Sequence, residues 1–401
     1  MFQPATTFEQ LWTALEAAGR FDPSIRVGRD VLPRMLRRYV PPMPYSRATM
    51  FGCMLAGEPS VLAGFPMPLR GPLRELPPAE AGRALISWLA TRRSRETHRI
   101  YTGPTGVRRE LTLRDIAQKW RANRTRFGVT DLYIRGTMME DVIAPEVLSR
   151  FNLLPHSSAG AREQEMFSFV IASRGHVTDS HSDDPDSTNY CFVGKKLWLA
   201  WDTYEGMRSG LQDVERVPVY RHARFDMEAW LSLRSARWFL VNPGETLFLP
   251  AHLTHKVVTL ERYIGVGGFF LALPNCLRLL AHWIVRGPLW SKRDSTGYRD
   301  DLLGEIAQSI RNTVHYLREA SPKDREQWGY DYLTRSAESF IKACPTAALR
   351  MLWSDPRFRC VADAIPAPWP LPKREMMAAR HDRRPKGLSG HGDVAMAAGR
   401  G

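Results

Sequence analysis

Cysteine is scarce in this 401-residue chain and follows no pattern. The five residues, Cys53, Cys191, Cys276, Cys344 and Cys360, include no Cys-x-x-Cys pair. An odd, scattered set argues against a zinc module or a disulfide framework and fits a reducing compartment. Long hydrophobic runs are absent too. The longest, Ile264 to Pro274, is too short to span a bilayer and is soon followed by Arg278. The opening MFQPATTFEQLW has no basic region leading into an apolar run, so no secretory leader is expected. A soluble protein follows, in the cytoplasm, or in the nucleus if the cell is eukaryotic, with no membrane partner. Internal repeats, P-loops and Gly-x-Gly-x-x-Gly turns are also missing.

Basic charge, by contrast, is in excess. Lys and Arg number 56 against 42 Asp and Glu, a net charge of +14. That balance suits acidic partners such as nucleic acid, or simply a solvated surface, and no motif selects nucleic acid. The basic residues are mostly single arginines, with short clusters at Arg92-Arg93-Ser94-Arg95 and Arg383-Arg384-Pro385-Lys386.

The chain divides by its grain. Residues 1–128 read as helices and irregular connections packing on a core. Thr7 to Gln10 has the form of a capping box, and Phe8, Leu11, Trp12 and Leu15 continue at helical spacing to Gly19. Residues 40–80 are rich in Pro, Gly and Met and read as irregular. Residues 80–93 predict a second helix, and Thr112 with Asp115 opens a third running to about Asn123. From about residue 130, short β-rich runs separated by Gly, Pro and Asp turns predict an antiparallel sandwich or barrel over 129–275. The segment DMEAWLSLR, between the two halves of that region, reads as a helix. Residues 276–360 return to helical spacing, through Leu303, Ile306, Ile310, Val314 and Leu317. This extension either packs on the barrel or pairs two subunits into a homodimer. Residues 361–401 read as a Pro-rich linker and a disordered basic tail. The fold class is therefore mixed with a β-rich core, flanked by α-helices on both sides.

Chemistry concentrates in TDSHSDDPDSTNYCFVGKKLW, residues 178–198. His181 and Asp183 are two apart, so in an extended segment both point to one face and can reach one metal ion. Two histidines and a carboxylate, with the remaining positions open, are the usual ligands of non-haem iron(II) oxygenases. The third ligand is expected on a neighbouring strand, and PGETLFLPAHLTH ends in His255. A lone His-x-Asp is weak evidence, since His391-Gly392-Asp393 in the tail has the same form. The wider pattern carries the weight: Thr178-x2-His181-x-Asp183-x5-Asn189-x4-Gly194-x-Lys196-x-Trp198, then Gly244-x5-Pro250-x4-His255.

Over roughly residues 165–275 this pattern resembles the JmjC branch of the cupin-fold, Fe(II)- and 2-oxoglutarate-dependent oxygenases. The resemblance implies a double-stranded β-helix (jelly roll) whose open end holds Fe(II) on His181, Asp183 and His255. It implies that Lys196, with Thr178, holds the distal carboxylate of the 2-oxoglutarate co-substrate. Lys195 is the rival, because alternation turns only one of the two inward. Asn189 either hydrogen-bonds the co-substrate or a ligand, or closes a turn. An aromatic hydroxyl from an upstream strand is also implied, with Tyr133 as the candidate. The sequence departs from the family at His252, where Gly is usual, and at Thr259, often Asn. His176 and His252 read as core histidines. The implied reaction consumes O2 and 2-oxoglutarate, releases succinate and CO2, and hydroxylates a protein side chain or a small molecule. Demethylation of an N-methyl-lysine, as in histones, is the alternative, although the chain carries no chromatin-reader module. A cupin-fold binding protein without activity is a further alternative, as is a metal-dependent cupin enzyme that ignores 2-oxoglutarate. Lys196 separates the last from the main reading.

Overall fold

The computed structural model describes residues 6–102, 107–133, 142–144, 167–183, 186–211, 225–250 and 253–270. The helical extension and tail expected over 276–401, the homodimer expected through that extension, and His252 lie outside the described residues. What is described is a mixed, β-rich fold of two large sheets flanked by helices. No helix among these residues is long and apolar enough to cross a membrane.

Eight consecutive strands build the centre: β6 (Phe167–Ala172), β7 (Val177–Ser182), β8 (Asp186–Val193), β9 (Lys196–Asp202), β10 (Arg237–Val241), β11 (Glu245–Leu249), β12 (Leu253–Thr259) and β13 (Tyr263–Phe270). They deal four strands to each sheet. One sheet has the order β10-β9-β12-β7, and the other contains β11-β8-β13-β6 as consecutive neighbours. Every pairing among the eight is antiparallel.

Period-two alternation sorts each strand's side chains into an inner and an outer layer. Between the sheets lie Val170, Ala172, Cys191, Trp198, Ala200, Phe239, Leu247, Val257 and Tyr263. The outer face of the smaller sheet, with Leu197, Leu199, Trp201, Trp238 and Val258, is covered by α1 (Phe8–Phe21) through Leu11, Ala14, Leu15 and Ala18. The outer face of the larger sheet, with Phe169, Ile171, Phe192 and Ile264, is covered by α4 (Pro78–Arg92) and α5 (Leu113–Ala122). Burying apolar area at about 25 cal/mol per Å² makes these helices part of the core.

The helix signals at both ends of the N-terminal region hold. Thr7 and Gln10 form the reciprocal capping box of α1, and the Thr112 side chain accepts from the Asp115 amide at the start of α5. The segment DMEAWLSLR contains a short helix, Met227–Ser232, capped by Asp226. The reading of residues 1–128 as helices and irregular chain needs correction, however. Four strands precede residue 113: β1 (Met43–Pro44), β2 (Ser60–Ala63), β3 (Thr97–Thr102) and β4 (Val107–Thr112). A helix, α3 (Arg47–Ala56), also lies within the stretch read as irregular. With β5 (Phe127–Tyr133), the four strands extend the larger sheet on both sides to nine, in the order β1-β2-β11-β8-β13-β6-β5-β3-β4. β4 forms one edge and carries exposed Arg109 and Glu110, and charge of that kind discourages further pairing.

Candidate metal centre

β7 and β12 bring the two histidines together. His181 stands directly opposite His255 in the antiparallel ladder, with ring centroids 4.1 Å apart. Two residues along β12, Val257 stands opposite Thr178, not opposite Asp179. β7 therefore spends three residues where β12 spends two, which is a β-bulge. Directly paired residues share a face, and His255 and Val257, two apart, both face the interior. The bulge thus turns Thr178 and His181 to the same side, although a spacing of three would otherwise oppose them.

Asp183 follows the end of β7, with its Oδ2 3.8 Å from His255 Nε2. The three ligand atoms of His181, Asp183 and His255 all lie within 4.8 Å of one another. Both rings present Nε2 inward for the same reason. His181 Nδ1 is 2.7 Å from the Asp179 carbonyl, and His255 Nδ1 is 3.4 Å from the Leu253 carbonyl. A carbonyl only accepts, so Nδ1 carries the proton and Nε2 keeps its lone pair. Burial, then the neighbouring His181 and Lys196, hold His255 well below the usual histidine range, so it is the neutral imidazole a cation requires. Ala200, opposite His255 on β9, leaves the inner side open. His255 is buried, while His181 and Asp183 are partly exposed, so the set opens on their side. Two imidazoles and one carboxylate suit Fe(II), with positions to spare for exchangeable ligands.

The same wall continues inward. Along β9, Lys196, Trp198 and Ala200 face the interior while Leu197, Leu199 and Trp201 face outward. This separates the two lysines: Lys195 pairs with Glu261 at 3.5 Å near the surface, whereas Lys196 is only 4% exposed. Desolvation pushes the Lys196 ammonium down to about 7. Its Nζ lies 4.2 Å from the Tyr263 ring centroid and 5.6 Å from that of Trp198. Among the described residues no carboxylate pairs with it. Trp198 fills the interval between Lys196 and His255, whose ring is 5.3 Å away. The indole Nε1–H is buried and has no hydrogen-bond partner among the described residues. Two donors, an ammonium and an indole N–H, thus face a region that supplies them no acceptor.

Asn189 lies within β8, not in a turn, and faces the interior beside Cys191. The Tyr263 hydroxyl donates to Asn189 Oδ1, so the Asn189 amide group turns its donors elsewhere. Tyr263 is the tyrosine beside Lys196 and Asn189 that sequence reasoning missed, having looked upstream to Tyr133. Tyr133 ends β5, its backbone paired with Ser168. Tyr263 comes from β13, downstream of every ligand. It fits because Gly265, two residues on and facing the same way, has no side chain: a Cβ there would lie 2.7 Å from the Tyr263 hydroxyl. The available signal was the glycine alternation in YIGVGG. His176 is the core histidine expected, with its ring against Gly128 and its imidazole pushed down to about 3 by burial. Thr259 sits opposite Lys196 at the end of β12 and is fully buried.

Behind the histidines, on the outer face, Lys256 Nζ lies 2.8 Å from Asp22 Oδ2 and 3.1 Å from Asp179 Oδ1. Burial would raise Asp22, but the Lys256 ammonium overrides it and holds the carboxyl below its ordinary value. Asp179 is also the residue whose carbonyl orients His181. One ammonium, next in sequence to His255, therefore ties the bulge to the end of α1. Lys256→Met is expected to weaken any metal binding at this set by about 10-fold or more, as loss of a ligand-orienting partner generally does. Anaerobic metal titration of the folded variant measures it. No protein-family model matches the chain, and no curated protein matches it.

Proposed function

We propose that this protein is an Fe(II)- and 2-oxoglutarate-dependent dioxygenase with a jelly-roll core, hydroxylating a protein side chain or a small molecule. The observation that carries the reading is one continuous inner wall. It bears a two-histidine, one-carboxylate set at one end and, at the other, a buried lysine with no carboxylate partner among the described residues. The dealing of β6 to β13 four to each of two antiparallel sheets, alternating except that β9 and β10 share one, supports the jelly roll. Ala200, Trp198 and Lys196 stand opposite His255, Val257 and Thr259, so four residues, or ~13 Å of strand, separate the metal position from the lysine backbone. A lysine side chain and a five-carbon dicarboxylate together bridge that interval.

Each residue then has a task. His181, Asp183 and His255 hold Fe(II), which supplies O2 activation coupled to decarboxylation of the 2-oxo acid. Lys196 neutralises the distal carboxylate, and its burial makes that pairing strong, since an uncompensated charge there is costly. Thr178, turned inward by the bulge, and the Trp198 N–H offer further donors to the same acid. Asn189, oriented by Tyr263, presents amide hydrogens from the opposite sheet. Val257 and Val170 keep the lining apolar between these groups, which limits water. The intact ligand set and the lysine disfavour the inactive binding protein. Lys196 disfavours a cupin enzyme that dispenses with 2-oxoglutarate.

The test is anaerobic titration of the Fe(II)-loaded protein with 2-oxoglutarate, following the visible charge-transfer band of the chelate. His181→Ala is expected to abolish the band, and Lys196→Ala to require at least ~100-fold more co-substrate, the cost of ~3 kcal/mol for a buried charge pair. Metal binding without a band would replace this reading with another cupin chemistry. No metal binding at all would sink it.

A further inference from the structure

We propose that the end of the molecule remote from the metal site docks the phosphate backbone of an RNA. Three turns meet there: β6–β7 (173–176), β8–β9 (194–195) and β12–β13 (260–262). They adjoin the C-terminal ends of α1 and α5. The metal ligands lie at the opposite ends of the same strands, His181 late in β7 and His255 early in β12.

Arg20, Arg121, Arg124, Arg126, Arg174 and Arg262 are all exposed on this end. Contacts between backbones and rings hold them together. The guanidinium carbons of Arg126 and Arg174 each lie 5.5 Å from the centroid of the Phe21 ring. The Arg174 amide donates to Asn123 Oδ1 at 3.1 Å. Arg262 stacks over Trp120 at 4.8 Å and donates to the Arg121 carbonyl at 3.0 Å. Guanidiniums held against rings and carbonyls have already lost part of their rotamer freedom, so less is lost when they bind. The carboxylates in these segments are engaged: Asp22 pairs with Lys256 and Glu261 with Lys195. Helix C-termini alone would account for Arg20 and Arg121 in the last turns of α1 and α5. They account also for Arg126 and Arg262, whose guanidiniums donate to the Phe21 and Arg121 carbonyls, but not for Arg124 or Arg174.

The partner's chemistry follows from what accompanies the charge. Protein interfaces and bilayers need apolar anchors. Among the described residues the exposed large hydrophobic is Phe8, at the far end of α1. Phe21 and Trp120 are covered by the arginines, so they steady guanidiniums instead of stacking bases. A prearranged, predominantly cationic surface suits a regular array of phosphates read without sequence. It is made of turns, with no helix or ribbon among the described residues projecting to fill the major groove of B-DNA. The wide, shallow minor groove of A-form RNA, flanked by phosphates and 2′-hydroxyls, meets such a surface.

Fluorescence polarisation of a labelled RNA duplex with the full chain tests this. Affinity should fall steeply with salt. Arg126→Ala/Arg174→Ala should weaken binding ~10-fold or more at low salt and reduce the log–log salt slope by about two. Arg124→Glu, at an exposed loop position, should weaken it as well without loss of melting temperature. His255→Ala should leave it unchanged, which separates this surface from the metal site. Absence of RNA binding would overturn the proposal, as would arginine variants that bind like the wild type. Equal competition by a DNA duplex, polyglutamate or anionic phosphatidylserine vesicles would overturn the assignment to RNA.

Discussion

Lys196→Met is expected to raise the melting temperature of the ligand-free protein while removing its affinity for 2-oxoglutarate. Burial drives the Lys196 ammonium from its ordinary value of 10.5 down to about 7. The unfolded chain therefore binds a proton more readily than the folded one between pH 7 and 10.5. Stability should increase with pH across that window as the penalty on the buried charge disappears. Below pH 7 the penalty is complete, and about 3.5 pKa units at ~1.4 kcal/mol each put it at roughly 3–5 kcal/mol. A methionine of similar length avoids it, so the wild type should approach the variant's stability as pH rises. The groups facing Lys196 do not reverse the sign: Tyr263 and Cys191 are both raised by burial, and His176 and His255 are both lowered, so all four stay neutral. Co-substrate binding should show the opposite dependence. The distal carboxylate needs the protonated amine, so affinity should decline by about tenfold per unit above pH 7. Thermal melts and 2-oxoglutarate titrations across pH 6–9 measure both. A Met variant less stable than wild type at pH 6 would show that Lys196 is internally paired and not held in reserve for a ligand.

Gly194→Ala is expected to cost ~3 kcal/mol or more and to lower the melting temperature by roughly 6–12 °C. Gly194 joins β8 to β9 with φ +86°, a conformation that alone costs a non-glycine residue about 1 kcal/mol. A Cβ there would run into the Arg262 carbonyl, 2.7 Å from its carbon and 3.2 Å from the Glu261 oxygen. Those are backbone atoms and cannot swing aside. They are fixed because the Leu260 and Glu261 amides both donate to the Lys195 carbonyl, at 2.9 and 3.2 Å. The turn before the Lys196 strand and the turn after the His255 strand therefore rest on each other. Stability should fall more than metal affinity in the molecules that remain folded, because the ligands lie at the far end of both strands. Circular dichroism melts with metal titration distinguish the two.

The ligand set was legible because a metal demands chemistry that few residues supply, at spacings set by strand geometry. His181 with Asp183, then His255 after a second turn motif, needed only the period of two. Lys196 over Lys195 was legible by the same alternation, once the resemblance favoured one register. Thr178 was legible only through resemblance, since three residues from His181 it belongs on the opposite face of a regular strand. The bulge that brings it back has no signal in TDSHS. Tyr263 escaped because a downstream strand returns to the middle of the larger sheet, beside β8 and β6. Chain order gives no warning of such adjacency. β3 and β4 escaped for another reason. Their sequences, THRIYT and VRRELT, carry the charge of a protected sheet edge and look like loop or helix surface.

The covering of both sheets by N-terminal segments has a consequence for synthesis. α1 leaves the ribosome early, yet the outer face of β9, β10 and β12 that buries its Leu15 and Ala18 is completed only with β12, at residue 259. β2 likewise waits for β11 at residue 245. At ~5–20 residues per second, the apolar stripe of α1 waits on the order of 10–50 s for its partner. For that interval the nascent chain carries exposed leucines that chaperones can hold, and the two histidines meet only at its end. Completion of the candidate metal centre is therefore a late event in the life of each molecule, coming after α1 has been waiting for most of these strands to be made.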